Sequence, residues 1–351
     1  MKELSPTRYL KLCAVVAFTL IGICTAANFL VDPLQFYRRA GYPPLLRTEA
    51  RYQNPGLAKN YDYDAVIIGT SVSLGFDPVQ IRERLGMRVL NLAMPGASAH
   101  EQFLLLQVAL RSGRVRHVIW DINYEFIRGT PAWVSDYDGA FPGYLYDTNA
   151  WNEVPHYLLN LDTAKDTLRI LWRRYTPRAV ESLTQTQERE RGRNRVLVHW
   201  EKSRAGNIFT REPGAFAPAH LRASFQANFP TLIRAHPQVH FDLYFPPISF
   251  VHYAMLRTDL PSAFDDFFRW RLDVKHQLAA LPNTRLFDFQ GVPGIVMDLS
   301  RYSDAVHFDA ATHREIVEAI ANRQYLATDE MLAATEALLR REATMDWPRR
   351  H

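Results

Sequence analysis

From Ala65 onward the chain alternates short apolar runs with helical patterns, and this alternation constrains the fold more than any other feature. Ala65 to Ile68, Val89 to Ala93 and Val118 to Ile122 are too short for buried helices and are bounded by turn residues, so they read as strands. Between them lie Pro78 to Leu85, stopped by Gly86, and Ala99 to Leu110, closed by Ser112 and Gly113; both carry helix spacing and end signals. The pattern resumes with a helical region around Leu221 to Ala235, a fourth strand at His240 to Phe245, a helical stretch from Ala263 to Leu281 and a fifth strand at Arg285 to Phe289. Helices follow at Ala310 to Asn322, with Asp309 as a good N-cap, and at Asp329 to Arg341; the final DWPRRH is expected to be loose. Strands separated by helices pair in parallel, so the expectation is an α/β domain with a five-stranded, mostly parallel sheet and helices on both faces.

Ahead of this domain, Leu12 to Val31 runs for about 20 residues without a charge, long enough to cross a bilayer as a helix. It reads as an uncleaved signal-anchor, because it is longer than the apolar core of a usual signal peptide. Lys2, Arg8 and Lys11 put residues 1–11 in the cytoplasm, although Arg38, Arg39 and Arg47 beyond the segment blur the bias. Residues 32–60, with Pro33, Pro43, Pro44 and Pro55, read as an extended connector to a domain spanning 61–351.

Both cysteines, Cys13 and Cys24, fall inside the apolar segment, so the globular part has no thiol for catalysis, metal ligation or a disulfide. A net charge of +4, from 41 basic and 37 acidic residues, is too balanced to argue for nucleic acid. Zinc-finger spacing, a Walker loop and a Rossmann glycine fingerprint are absent, and no cofactor is implied.

The alternation breaks between about Tyr124 and Pro218, where aromatics (Trp133, Tyr137, Phe141, Tyr144, Tyr146, Trp151), a helical pattern from Ala164 to Arg174 and the charged run Glu188 to Arg195 form an insertion. It reads as a lid or substrate platform over the strand ends, its aromatics forming the lid core and its charges a solvated face.

The chemistry lies in two short stretches. Gly69-Thr70-Ser71 closes the first strand and presents Ser71 at its carboxyl end, where open α/β sheets collect their ligands. Asp304 and His307 precede the Ala310 helix and lie three residues apart, a spacing that lets a carboxylate orient an imidazole. A serine hydroxyl needs such a base before it attacks. Ser73 is a fallback nucleophile. A metal set of Asp304, His307, Asp309 and His313 is the other reading, set against the better use of Asp309 as a helix cap.

These blocks resemble the SGNH (GDSL-like) hydrolase superfamily, in particular the membrane-anchored SGNH-like proteins of bacterial envelopes that include polysaccharide O-acetyltransferases. The resemblance rests on Gly69-Thr70-Ser71, on Asn91 to Ser98 (NLAMPGAS) and on Asp304-Ala305-Val306-His307. It implies a three-layer flavodoxin-like fold with Ser71 as nucleophile, His307 as general base and acid, and Asp304 as orienting carboxylate. It further implies oxyanion donors at Ser71, Gly96 and Asn123. Thr70 stands where the family has Asp, and Asp121-Ile122-Asn123-Tyr124 where it has Gly-x-Asn-Asp. The implied protein is a single-pass inner-membrane esterase or O-acetyltransferase, its domain in the periplasm. Its partners would be an envelope or exported polysaccharide and a membrane acyl-donor protein. The alternative is an inactive glycan-binding or assembly protein with the same fold.

Overall fold

The computed structural model describes residues 5–42, 50–137, 139–147, 154–175 and 190–350. Pro43, Pro44, Arg47, Trp151 and the Glu188–Arg189 start of the charged run lie outside them. The chain forms two compact units, Met1–Tyr61 with Pro142–Leu183, and Asp62–Phe141 with Thr184–His351. The stretch 124–218, expected as one insertion, is therefore divided between them.

The second unit holds a five-stranded sheet of β1 (Ala65–Ile68), β2 (Val89–Asn91), β3 (His117–Asp121), β4 (His240–Phe245) and β5 (Thr284–Asp288). Its order is β2-β1-β3-β4-β5 and every pairing is parallel. Every residue of β1 and β3 is buried, as expected of central strands covered on both faces. Because the chain leaves β1 for one edge and later returns to β3 on its other side, a crevice opens at the carboxyl ends of β1 and β3.

Helices of eight residues or more are numbered here. On one face α3 (Pro78–Leu85) packs against α10 (Ala310–Ala321); on the other α7 (Pro218–Asn228) bridges α4 (Ala99–Leu110) and α9 (Pro261–Ala279). Local chemistry sets their ends. Asp77 accepts the Val79 N–H and Gly86 closes α3 at φ 71°, while Ser98 and Glu101 form a reciprocal capping box on α4.

Several boundaries differ from the sequence reading. The region around Leu221–Ala235 is two helices, because Pro230 has no N–H to continue α7 and starts a new turn, Pro230–Ala235. Phe250–Asp259 forms an additional helix, α8, behind the loop Pro246–Ser249. The tail expected to be loose is held at Trp347, which is fully buried, edge-on to Trp200 of α6 (Arg193–Ser203) and to Phe250.

The first unit contains α1 (Pro6–Val31), α2 (Ala50–Asn60) and α5 (Leu161–Tyr175). Helix α1 is long and apolar enough to cross a membrane. It ends at Asp32, whose carboxylate accepts the N–H groups of Phe36, Tyr37 and Arg38 and the Tyr157 hydroxyl. The connector is not extended throughout, since α2 tolerates Pro55 in its interior. Proline removes the N–H that would bond the Arg51 carbonyl, and the Tyr146 hydroxyl donates to that carbonyl instead at 2.8 Å.

Candidate active site

Ser71 opens a three-residue 3-10 turn, Ser71–Ser73, directly beyond β1. Its Oγ lies 2.8 Å from His307 Nε2, and His307 Nδ1 lies 2.7 Å from Asp304 Oδ2. Residues 236 positions apart are thus joined in one hydrogen-bonded chain. Asp304 Oδ1 accepts the N–H groups of Val306 and His307, both at 2.8 Å, so the carboxylate shapes the loop that carries its own histidine. Burial works against the Asp304 charge, but the His307 hydrogen bond and those backbone donors outweigh it and hold the carboxyl well below its ordinary range. The group is therefore an anion at neutral pH, suited to fix the imidazole tautomer and to stabilise an imidazolium.

Two loops brace this arrangement. Tyr302 pairs with Phe308 across the Asp304–His307 loop, and Ser303 N–H closes on His307 O at 3.0 Å. The loop beyond β4 holds it from the side: Ser249 Oγ donates to Ala305 O at 2.7 Å and Tyr302 OH to Pro247 O at 2.5 Å.

The serine turn is pinned from three directions. From β3, Asp121 Oδ2 accepts the Thr70 N–H, the Thr70 hydroxyl and the Ser73 hydroxyl at 2.8, 3.1 and 2.7 Å. From the last residue of β2, Asn91 Nδ2 donates to Ser73 O at 2.9 Å. From α10, His313 Nε2 lies 2.9 Å from Val72 O. Gly69 is required for this closeness, since a Cβ there would lie 2.4 Å from both Asp121 Oδ2 and Ser73 Oγ. Asp121 is completely buried, and burial raises its carboxyl to about 6 despite the bonds from Thr70 and Ser73. Its Oδ1 has no partner among the described residues.

Ser73, the fallback nucleophile, is buried and committed to Asp121 and to Tyr244 OH, each at 2.7 Å. The alternative metal set is dispersed into other duties. Asp309 caps α10 through the Thr312 N–H, and the His313 ring lies between Val72 O and Asp309 O.

The three residues expected as oxyanion donors, Ser71, Gly96 and Asn123, each follow the carboxyl end of a strand, β1, β2 and β3. The β1–β3 ladder ends at Ile68 opposite Trp120, and Ser71 and Asn123 each follow three residues beyond that last pair. Beyond β2, the Met94 N–H bonds Gly69 O at 2.9 Å, which brings the Gly96 turn to the same crevice. Among the described residues the Ser71 N–H has no acceptor. Asn123 Oδ1 accepts the Glu125 N–H at 3.2 Å, leaving Nδ2 as the donor end of the carboxamide. Gly96 has φ 65°, and a Cβ on it would lie 2.6 Å from the Tyr137 ring, so this loop and the loop after β3 meet in close contact. Ser98 Oγ ties that second loop down by donating to Trp133 O at 2.7 Å.

Three further ionisable residues interact electrostatically with the Ser71–His307–Asp304 chain and carry no sequence signal. His199 and His252 lie within electrostatic reach of Asp304, and Glu125 within reach of His307. Burial lowers His252 to about 4, so at neutral pH it is an uncharged neighbour of Asp304.

A second polar cluster occupies the amino ends of the strands, away from Ser71. His117 and His240 are register partners on β3 and β4, and both approach the buried Asp242 carboxylate, at 2.6 and 3.2 Å. Their ligand atoms are close enough to share a metal ion, yet Arg285 already holds both Asp242 oxygens, at 2.6 and 2.7 Å. That bidentate pair neutralises the charge a metal would use, and the cluster reads as a brace between β3, β4 and β5.

No family model and no curated protein matches the chain. Among solved structures, one entitled "The structure of a putative platelet activating factor from Streptococcus pneumonia" is similar, at 11% identity and a TM-score of 0.39. The match covers 78% of this chain and 89% of that one. A likeness this distant carries no argument about function.

Proposed function

We propose that this protein is a membrane-anchored SGNH-like serine esterase or O-acyltransferase acting on an envelope or exported polysaccharide. The observation that carries the reading is the hydrogen-bonded chain from Ser71 through His307 to Asp304 at the carboxyl end of the sheet. The strand order and the position of Ser71 after β1 agree with the three-layer flavodoxin-like arrangement of that superfamily. Helix α1 would hold the domain at the inner membrane on the periplasmic side, within reach of a membrane acyl-donor protein.

In this reading Ser71 Oγ bonds to the acyl carbonyl carbon as its proton passes to His307 Nε2, and Asp304 stabilises the imidazolium. The oxyanion that forms is met by the N–H groups of Ser71 and Gly96 and by Asn123 Nδ2. Collapse breaks the bond to the leaving oxygen, which takes the proton from His307. Water, or a glycan hydroxyl, then loses its proton to His307 as it attacks the acyl-serine, and Ser71 is restored.

Hydrolysis of a small acetyl ester by the wild type, by Ser71→Ala and by His307→Ala tests this, together with labelling of Ser71 by an organophosphonate. Turnover and labelling in the wild type alone support the proposal. A silent, unlabelled wild type moves the reading to a glycan-binding or assembly protein. The replacement of a family Gly by Asp121 is the observation that keeps that second reading in view.

A further inference from the structure

Helix α5 (Leu161–Tyr175) is amphipathic in the inverted sense. Thr163, Asp166, Thr167 and Ile170 are buried, whereas Leu161, Leu168 and Trp172 are 78%, 67% and 75% exposed. At 3.6 residues per turn these three apolar side chains fall within about 40° of arc, with Leu171 beside them and the buried residues opposite. A helix at a water-facing surface turns its leucines inward and its threonines and aspartate outward, so the outward face of α5 is suited to a non-aqueous neighbour.

The same unit identifies that neighbour. Helix α5 packs against α1, and the contact is specific: Thr167 Oγ1 donates to Asn28 Oδ1 at 2.8 Å, and Asn28 Nδ2 donates to Leu158 O at 2.9 Å. Asn28 is the buried residue of α1, one turn from its end at Val31. Helix α1 is about 39 Å long, against about 30 Å for a hydrocarbon core, so its last turns reach the headgroup level. Lys165 and Arg169 are exposed along the flank of the apolar stripe, where cationic heads meet anionic phospholipid.

We propose that α5 lies in the membrane interface beside the last turns of α1, with Leu161, Leu168, Leu171 and Trp172 turned into lipid and Lys165 and Arg169 at the headgroups. The anchor is then two-part, a spanning helix joined through Asn28 to a helix lying in the interfacial plane. This rests on the reading of α1 as a membrane span.

The test uses the full chain, with Cys13 and Cys24 replaced by serine, in bilayers of phosphatidylethanolamine and phosphatidylglycerol. Single spin labels at Val16→Cys, Asp162→Cys, Leu168→Cys and Trp172→Cys are compared for collision with lipid-soluble oxygen and with a water-soluble nickel chelate. The expected result is that Leu168 and Trp172 favour oxygen at a shallower depth than Val16, while Asp162 favours nickel. Labels at Leu168 and Trp172 that favour nickel, or that are shielded from both reagents as under a protein partner, overturn the inference while Val16 stays in lipid. A Val16 label open to nickel overturns the span itself, and the interfacial helix with it.

Discussion

Ser71 Oγ, His307 and Asp304 stand at hydrogen-bond distances, and the backbone donors to Asp304 together with the Ser249 and Tyr302 hydroxyls build that alignment into the loops. If the acyl-transfer reading is right, Asp304→Asn removes the charge that fixes the imidazole tautomer. It should lower esterase turnover about ten-thousand-fold while leaving thermal unfolding near wild type, as steady-state rates and melting curves would show. Asp121 gives a different prediction, about stability. Its carboxyl is raised in the folded state, from 3.8 to about 6, so between those values the native protein holds a proton that the unfolded chain has lost. Stability is therefore greatest below about pH 4 for this group and falls as pH rises through about 6, by about 3 kcal/mol in all. Asp121→Asn cannot titrate and should flatten that part of the stability curve. An unchanged slope between pH 4 and 6 in the variant would count against the assignment.

At the scale of single elements, the turn after β1 depends on absent atoms as much as on present ones. Gly69→Ala places a methyl group against Asp121 and Ser73, both buried with nowhere to move. The expected cost is about 1 to 3 kcal/mol in unfolding free energy, with a fall in Ser71 reactivity toward a phosphonate beyond what that instability explains. The carboxyl-terminal turn makes the converse case. Trp347 fills a site between Trp200 and Phe250, so Trp347→Ala should destabilise the protein by about 3 to 5 kcal/mol, measured by denaturant unfolding. A loose tail would show no change.

For the whole molecule, the sheet-bearing unit and the unit carrying α1 differ in where their apolar side chains lie. The first buries its apolar residues in a core, while the second leaves Leu12, Val16, Leu20 and Ile23 exposed along α1. Deleting residues 1–23, which keeps Asn28 and its bonds to Thr167 and Leu158 O, should therefore release the chain from the membrane fraction only in part, because the apolar face of α5 remains. Further substitution of Leu168 and Trp172 by Ser should complete the release, as read by flotation on a density gradient. Complete release on deleting residues 1–23 alone would count against the interfacial placement of α5.

What the sequence determined by itself was whatever a period or a local rule encodes. The five strands, the helices that begin at Pro78, Ala99, Ala310 and Asp329, and the membrane-length segment follow from spacing, caps and charge-free length. Ser71, Asp304 and His307 were legible as candidates because strand ends and an Asp-x-x-His spacing are local. The tertiary structure alone decided which side chains meet. Asp121 reads only as a departure from the family's Gly until the fold sets its carboxylate against Thr70 and Ser73, and Pro55 reads as a break until Tyr146 supplies the bond it removes. Likewise Trp347 and the inverted face of α5 acquire meaning only from what lies against them. Burial and hydrogen bonding between distant residues depend on where the chain returns, and no local pattern carries that information.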